Sequence, residues 1–383
     1  MHYFDNAATT FPKPETVYSS MDNFYRNYGV NVGRGQFKEA SIASKMVDET
    51  RELLLELFHV DRGTRQVIFT PSATEALNLI INGLGLSKDD VVYITPFEHN
   101  AVLRVLNKIA KDNGVLVKTI SPDYESLTYN LETIRDDFEK SNPKVVIVNH
   151  ASNAFGNVSP INTIFLEAKK YGAITVADMS QTAGLVDVNL LECQCDYAVF
   201  EGHKTLYGPF GAAGVIMPNN AGIEPLIYGG TGVDSANLNM PVIEPIRYEA
   251  GSPNILSISG LNASLKWIKE IGINEIRKKE DENAIRLFQL LNSFSNITVH
   301  RGNKCENIGI ISCTFDGYSS DNIGQVLSEK DIAVRTGLHC APEAHKFMNT
   351  APAGTVRFSV NYFTSDDDFE ALKAALEYIE LNS

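Results

Sequence analysis

Residues 145–178 read VVIVNHASNAFGNVSPINTIFLEAKKYGAITVAD, and this stretch decides the fold. Its ends, Val145–Asn149 and Ile174–Asp178, are short and mostly apolar, whereas Ile161–Tyr171 between them has apolar residues at helical spacing. Apolar runs of this kind are typical of strands that are buried on both faces of a parallel sheet. The stretch therefore predicts a strand–helix–strand unit with parallel strands.

The same alternation continues on both sides of this unit. Further strand-like runs occur at Val67–Thr70, Val91–Thr95, Val115–Ile120, Tyr197–Phe200 and Ala213–Met217. Helical patterns occur at Thr74–Leu84, Asn100–Asn113 and Thr133–Lys140. Repetition of strands and helices predicts an α/β fold, with a mostly parallel sheet of about seven strands and helices on both faces.

The character of the sequence changes after Pro253. Helical patterns at Leu256–Ile271 and Asn274–Ser293 precede strand-like runs at Ile308–Phe315 and Thr355–Asn361, and Ser365–Leu381 predicts a closing helix. We therefore predict a large domain over residues 14–255 and a smaller α+β domain formed by residues 1–13 and 256–383.

Composition excludes several classes of function. Hydrophobic residues make up 44% of the 383 residues and charged residues 21%, which is ordinary for a globular protein, and the net charge of −14 disfavours nucleic acid and anionic membranes as partners. The first ten residues do not resemble a signal peptide, and no apolar run is long enough for a membrane helix. The five cysteines are odd in number and irregularly spaced, so we expect no metal site and a reducing, cytoplasmic setting.

Polar clusters follow the predicted strands. They are Ser72–Thr74, Glu98–Asn100, Asn149–Asn153, Asp178–Gln181 and Glu201–Lys204. Because ligands bind at the carboxyl ends of parallel strands, five such clusters predict one site at this edge of the sheet.

Each cluster also has a simpler structural interpretation. Ser72 and Thr74 could cap a helix or bind a phosphate at its N-terminus. Asp178 could cap a turn or pair with a buried cationic nitrogen, and His99 could begin a helix or stack on an aromatic ring. Lys204 could be a solvated surface lysine or a desolvated nucleophile.

Two residues of the C-terminal part are unusual for their surroundings. Cys340 lies in a predicted loop near Arg335 and His339, whose positive charge would favour a reactive thiolate over an inert, buried cysteine. Arg357 lies within an apolar, strand-like run, where it either pairs with an internal carboxylate or binds the carboxylate of a substrate.

These motifs together resemble the class V, fold-type I enzymes that depend on pyridoxal 5′-phosphate (PLP), and within them the cysteine desulfurase and selenocysteine lyase group. The resemblance runs through most of the chain and is carried by Tyr3–Thr10, Ala73–Ala76, Glu98–Asn100, His150–Asn153, Ala177–Gln181, Gly202–Lys204, Tyr248–Asn254, Arg335–Ala341 and Val356–Ser359. The form of Arg335–Ala341 is similar to the branch with a short catalytic loop.

The resemblance implies a role for each matching residue. Lys204 would form the covalent link to PLP and move protons, and Cys340 would accept sulfur from L-cysteine as a persulfide and release L-alanine. The residues implied in cofactor binding are Ser72, Ala73, Thr74, His99, Asp178, Gln181, His203, Lys204 and Thr231. Those implied in substrate binding are Asn153, Arg357, Arg335 and Arg34. The family also implies a homodimer, to which Arg34 and the loop around Thr231 would contribute across the interface, and a sulfur-acceptor protein.

Three places depart from the family pattern. Phe37 and Lys38 stand where the family often carries His-Arg or His-Lys. Glu201 stands where a serine or threonine commonly donates to the phosphate, and Val233 stands where a hydroxyl is common. Other hypotheses therefore stay open: a selenocysteine lyase, another PLP-dependent C–S lyase, an epimerase or an aminotransferase of the same fold, or a catalytically degenerate scaffold.

Overall fold

The computed structural model describes residues 1–32 and 35–382, and its largest element is a seven-stranded sheet. The strands of the chain are β1 His2–Tyr3, β2 Arg65–Thr70, β3 Val91–Ile94, β4 Leu116–Thr119, β5 Val145–Asn149, β6 Ile174–Asp178, β7 Tyr197–Glu201, β8 Ala213–Pro218, β9 Ile297–His300, β10 Ile310–Phe315, β11 Ile332–Ala333, β12 Arg335–Gly337 and β13 Thr355–Ser359. The large sheet has the order β2-β8-β7-β6-β5-β3-β4. Its pairs from β7 to β4 are parallel, and only β8 runs antiparallel to both its neighbours.

Helices lie between the strands along the chain, and several pack against the sheets. They are α1 Glu15–Tyr28, α2 Lys38–Leu57, α3 Ala73–Gly83, α4 Asn100–Asn113, α5 Leu131–Lys140, α6 Ile161–Lys170, α7 Ile255–Ile271, α8 Ile273–Asn292, α9 Ser320–Glu329, α10 Pro342–Phe347 and α11 Asp366–Leu381, with one 3₁₀ turn at Ile246–Tyr248. Several begin at side chains that accept from the first turn: Ser72 caps α3, His99 caps α4, and Ser365 and Asp368 form a capping box at α11. None of the helices within the described residues is long and apolar enough to cross a membrane.

The C-terminal part forms its own sheet, with the order β12-β13-β10-β9. The N-terminal strand β1 pairs with β11, and Asp5 forms a further bridge with Ser359, so the first residues of the chain pack on its C-terminal part. A separate apolar core, which includes Phe4, Ile311, Phe358 and Leu372, lies between this sheet and its helices. The domain bounds 14–255 and 256–383 stay a prediction.

The expected mostly parallel sheet is confirmed, and the strands and helices within it begin and end within one or two residues of the predicted positions. One expectation was wrong: β4 is not buried on both faces, since Leu116 and Val117 are exposed at the edge of the sheet. Local sequence patterns did not predict β1, α1, α2, β9, α9, β11, β12 or α10. Polar residues interrupt the apolar pattern of α1 and α2, and their packing against α7 is set by residues far along the chain.

Candidate active site

A pocket lies at the carboxyl ends of the parallel strands. Its lining brings together Ala73, Thr74, Leu77, His99, Ala101, Asn149, Asn153, Asp178, Ser180, Gln181, Glu201 and Lys204. Seven of these were candidate site residues. The lining as a whole comes from α3, β5, β6, β7 and the segments that follow the strands. The edge of a parallel sheet therefore concentrates polar groups from distant segments, as its topology requires.

Lys204 lies in the turn that follows β7 and is held by the N-terminal segment. Its backbone carbonyl accepts a hydrogen bond from the Thr10 hydroxyl at 2.7 Å, and the neighbouring His203 carbonyl accepts from Thr9 at 2.9 Å. Burial lowers the pKa of the Lys204 amine, although Asp178 and Glu201 oppose this shift. A buried amine with a lowered pKa is available as a nucleophile and as a proton carrier.

Asp178 ends β6 and presents a buried carboxylate to the pocket. Its Oδ1 accepts from the backbone N–H and the hydroxyl of Ser180, at 3.0 and 2.5 Å. These two bonds fix the orientation of the carboxylate before any ligand arrives. Gln181 follows on the same turn and donates to the carbonyl of Ala7 at 2.8 Å, which ties the N-terminal segment to the pocket.

His99 caps α4 and lines the pocket as a neutral ring. Its Nδ1 accepts from the backbone N–H of Ala101 at 3.1 Å, so Nε2 carries the ring proton. Burial, together with the charge of Lys204, lowers the pKa of His99 to about 4. The ring therefore begins a helix and also lines the pocket, and its stacking on an aromatic cofactor stays a prediction.

Glu98 stabilises the segment that precedes α4. The side chain is fully buried, and its Oε1 accepts from the Thr95 hydroxyl at 2.7 Å and from the Asn149 N–H at 2.8 Å. Burial raises the pKa of Glu98 to about 8. The carboxyl therefore links the end of β3 to β5. It is largely a neutral acid at neutral pH.

The N-terminus of α3 forms the next wall of the pocket. The Ser72 hydroxyl accepts from the Glu75 N–H at 3.3 Å, so it caps the helix, and Ser72 does not line the pocket; its expected part in cofactor binding stays a prediction. The N–H of Ala73 instead donates to Glu201 Oε2 at 2.9 Å. His203 stacks on Phe210 with ring centroids 4.2 Å apart, and its Nε2 lies 3.6 Å from Glu201 Oε1.

Thr231 and Arg34 are the residues that were expected to contact the cofactor or substrate across a dimer interface. Thr231 lies on the loop between β8 and the 3₁₀ turn and is absent from the pocket lining, so its contact with a phosphate stays a prediction that needs a second protomer. Arg34 lies outside the described residues.

Arg357 lies on β13 with its side chain only 1% exposed. Its Nη1 donates to the Asn153 carbonyl at 2.7 Å, and its Nη2 donates to Asp5 Oδ1 at 2.6 Å. Burial lowers the pKa of Arg357, and the carboxylate of Asp5 opposes this shift. Asp5 was not among the predicted site residues. Its signal in the sequence was a carboxylate directly after the apolar residue Phe4.

Cys340 lies between β12 and α10, in a backbone conformation that is unusual for its residue type. The φ angles of His339 and Cys340 are 47° and 58°, in the left-handed region that L residues rarely adopt. Two hydrogen bonds hold these residues there: the Asn100 N–H donates to the Cys340 carbonyl at 2.8 Å, and the Asn153 amide donates to the His339 carbonyl at 2.6 Å. Arg335 places Nη2 at 3.6 Å from the Cys340 Sγ.

Several buried polar atoms around this space await a partner. Within the described residues, hydrogen-bond partners are missing for Asn153 Oδ1, Glu201 Oε1, His203 Nδ1 and Arg357 Nε. Because buried polar atoms are normally paired, these four mark where a polar ligand would bind. A buried amine, an oriented carboxylate, a neutral imidazole ring and a helix N-terminus in one pocket are suited to an aromatic aldehyde that carries a phosphate.

Fold and site together define an enzyme of the PLP-dependent class. The model of the class-V aminotransferase family matches residues 2–372, and the chain belongs to that family. This result confirms the resemblance described above. The family implies PLP as the cofactor.

Curated relatives and solved structures are similar over nearly the whole chain. A probable cysteine desulfurase of Pyrococcus abyssi is 32% identical, and the match covers 98% of this chain and 93% of the relative. The apo structure of a cysteine desulfurase from Thermococcus onnurineus is 29% identical with a TM-score of 0.90, covering 100% of this chain and 95% of the other. A cysteine desulfurase from Escherichia coli, described as an S-sulfonic acid, is 25% identical with a TM-score of 0.86, covering 99% and 94%.

Proposed function

We propose that the protein is a PLP-dependent cysteine desulfurase, which converts L-cysteine to L-alanine and keeps the sulfur on Cys340 as a persulfide. The observation that carries this proposal is the attachment of the Cys340 loop to the pocket. The carbonyls of His339 and Cys340 accept hydrogen bonds from Asn153 and Asn100, two residues that follow the parallel strands. The thiol is therefore held beside the space that Lys204 and Asp178 line.

The residues of the pocket divide between the two ends of the cofactor. Asp178 and His99 would meet the ring, Lys204 would bind it covalently, and the N-terminus of α3 with His203 would face the phosphate. When bound, PLP withdraws electrons from the substrate and so weakens the bonds around its α-carbon. Asp178 would support this by pairing with the ring nitrogen, because its carboxylate is already oriented by Ser180.

Arg357 would bind the carboxylate of the amino-acid substrate. Its Nε is buried without a partner among the described residues, and its Nη1 donates to the carbonyl of Asn153, which lines the pocket. A guanidinium with an unused donor matches the planar geometry of a carboxylate. Lys204, whose pKa burial lowers, would take a proton from the α-carbon and return one later.

The sulfur transfer balances without an external oxidant or reductant. The thiolate of Cys340 attacks the substrate sulfur, an S–S bond forms and the C–S bond of the substrate breaks. The electron pair of the broken bond goes to the carbon fragment, which takes up a proton and leaves as alanine. The Arg335 guanidinium, 3.6 Å from Sγ, stabilises negative charge on the attacking sulfur.

A substrate panel with matched cysteine variants tests this proposal. Cys340 and Cys305 are the two half-buried thiols of the five free cysteines, so Cys305→Ser is the control for Cys340→Ser. We expect wild type and Cys305→Ser to release alanine from L-cysteine and to carry a persulfide detectable by mass spectrometry. Cys340→Ser should lose both while keeping the absorbance of the bound cofactor.

The other outcomes separate the alternatives. Undiminished alanine release by Cys340→Ser in the presence of a sulfur acceptor would refute the role of the thiol and favour a different C–S lyase. Turnover confined to selenocysteine would indicate a selenocysteine lyase, and racemised or transaminated amino acids would indicate an epimerase or aminotransferase. A protein that binds no PLP, whether wild type or Lys204→Ala, would be a scaffold.

The proposal includes a cytoplasmic homodimer that passes sulfur to an acceptor protein. The loop before the 3₁₀ turn supports the dimer, because its apolar side chains Tyr228, Leu238 and Val242 are between 66% and 101% exposed. Light scattering coupled to size-exclusion chromatography tests the dimer. A monomer at micromolar concentration would contradict it.

A further inference from the structure

The pocket holds an acidic side chain where an anion would bind. Glu201 ends β7, is 6% exposed, and accepts from the Ala73 N–H, the first residue of α3, through Oε2 at 2.9 Å. A helix N-terminus attracts anions because its N–H groups are free and the helix dipole is positive there. The carboxyl of Glu201 therefore occupies the donor that a phosphate would use.

The second carboxyl oxygen of Glu201 points to a missing ligand. Within the described part of the chain, Oε1 is buried without a hydrogen-bond partner, and so is Nδ1 of the adjacent His203. Oε1 lies 3.6 Å from His203 Nε2, too far for a hydrogen bond. A carboxyl with one hydrogen-bonded and one unpaired oxygen can accept a further hydrogen bond when it is ionised, or donate one when it is protonated.

The charges around Glu201 determine whether its carboxyl is ionised and accepts, or is protonated and donates. Lys204 and His203 lie on its own segment, Asp178 faces it from β6, His99 faces the same pocket from α4, and Lys13 lies near His203. His203 and His99 are neutral, because burial lowers their pKa to about 3 and about 4. Burial raises the pKa of Glu201 despite the N–H of Ala73 and the charge of Lys204.

A phosphate adds a second negative charge to this corner. It would lie against α3 and His203, beside the carboxyl of Glu201, and no cation contacts Oε1 in the described chain to compensate. Two anions in a partly desolvated site repel each other strongly, and carboxyls in this position take up a proton instead.

We propose that Glu201 is a proton-donating ligand of the cofactor phosphate: it takes up one proton as PLP binds, donates from Oε1–H to a phosphate oxygen, and keeps Oε2 as the acceptor of the Ala73 N–H. The proposal rests on the proposed function, since it takes PLP as the ligand. It makes cofactor binding proton-coupled, so that PLP is held more weakly as the pH rises. The protonated carboxyl thereby donates the hydrogen bond to the phosphate that a serine or threonine hydroxyl commonly donates at this position.

The matched variant is Glu201→Gln. Its amide keeps the acceptor for Ala73 and supplies a permanent donor in place of Oε1–H, but it cannot titrate. Apoprotein is titrated with PLP, and affinity and proton uptake are measured by calorimetry in two buffers of different ionisation enthalpy. Pyridoxal, which lacks the phosphate, is the control ligand.

We expect wild type to take up about one proton more than Glu201→Gln on binding PLP, and the two proteins to be equal with pyridoxal. At pH values above the pKa of free Glu201, wild-type affinity should fall relative to the variant by about tenfold per pH unit. A His203→Gln variant should keep the extra proton, which separates uptake by Glu201 from uptake by the imidazole. An infrared difference spectrum should show a protonated-carboxyl band in wild type only.

Equal proton uptake by wild type and Glu201→Gln, or a pH-independent ratio of their affinities, would overturn the proposal and mean that Glu201 stays ionised or turns away. If Glu201→Gln does not fold, as judged by circular dichroism, Glu201→Ser replaces it, because its hydroxyl donates and does not titrate. Failure of every variant and of wild type to bind PLP would instead remove the proposed function. Binding of PLP without desulfurase activity leaves the proton measurement decisive.

Discussion

Replacing Asp5 by alanine removes the only carboxylate that contacts Arg357 among the described residues. The pair joins Asp5 Oδ1 to Arg357 Nη2 at 2.6 Å, with side chains 20% and 1% exposed. Breaking a fully buried pair costs about 3–5 kcal/mol, because the remaining charge is left uncompensated. Since Asp5 is partly exposed and Arg357 keeps its bond to the Asn153 carbonyl, we expect a smaller loss than for a fully buried pair, about 2–3 kcal/mol.

This loss corresponds to a measurable change in melting temperature. An unfolding entropy of about 2.1 cal/mol/K per residue, over the length of this chain, amounts to roughly 0.8 kcal/mol/K. A loss of 2–3 kcal/mol therefore lowers Tm by about 3–4 °C. Asp22→Ala is the matched control, because its pair with Arg26 is exposed and lies on one helix. Its Tm should change by less than about 1 °C.

The same variant tests how Asp5 acts on substrate binding. If Asp5 positions the guanidinium for the substrate carboxylate, Asp5→Ala raises KM for L-cysteine by about 10- to 100-fold, the equivalent of one charge-assisted hydrogen bond, with a smaller effect on kcat. Asp5→Asn, which keeps an oxygen acceptor, should recover part of this loss. An unchanged Tm together with a lowered KM would refute the reasoning, because Asp5 would then be a competitor of the substrate.

Three further predictions concern other parts of the site. Glu98 has a pKa of about 8 in the fold against an ordinary 4.5, so the folded protein binds an extra proton between these values and its stability falls as pH rises through them. Glu98→Gln should therefore gain stability relative to wild type in urea unfolding, by up to about 1.4 kcal/mol per pH unit over that window, and parallel profiles would contradict this. Gly202→Ala places a Cβ in a clash with the backbone carbonyl oxygen of Ala212 and should lower stability by more than about 2 kcal/mol, whereas Gly230→Ala, with open space around it, should change it by less than about 0.5 kcal/mol. Arg335→Ala should slow the alkylation of Cys340 by iodoacetamide severalfold, because the variant lacks the guanidinium that stabilises negative charge on the sulfur. Equal alkylation rates in the variant and wild type would show that Arg335 does not stabilise the thiolate.

The sheet and most of its helices were predictable from local patterns, because each buried strand is a short apolar run. Val145–Asn149 and Ile174–Asp178 appear in the structure with the predicted bounds, and the polar residues at their ends lie in the same pocket. The edge strand β4 could not be distinguished from a central strand, since burial depends on which strands lie beside it.

The contacts that give the site its character were not predictable. Glu201 was recognised as unusual, but its bond to the Ala73 N–H joins residues 128 positions apart. Arg357 was expected either to pair with an internal carboxylate or to bind a substrate carboxylate. The structure shows the first and leaves Nε for the second. Nothing in the local sequence indicated that Asp5 was the partner.

The pairing of Asp5 with Arg357 also has a consequence for biosynthesis. The two residues are 352 positions apart, and all seven strands of the large sheet lie between them. During translation, the sheet and the Lys204 turn leave the ribosome while Arg357 is still unmade, since chains emerge and fold from the N-terminus. The strands that position Asp178 and Lys204 are therefore made well before Arg357, and the ion pair between Asp5 and Arg357 forms only after nearly the whole chain has been synthesised.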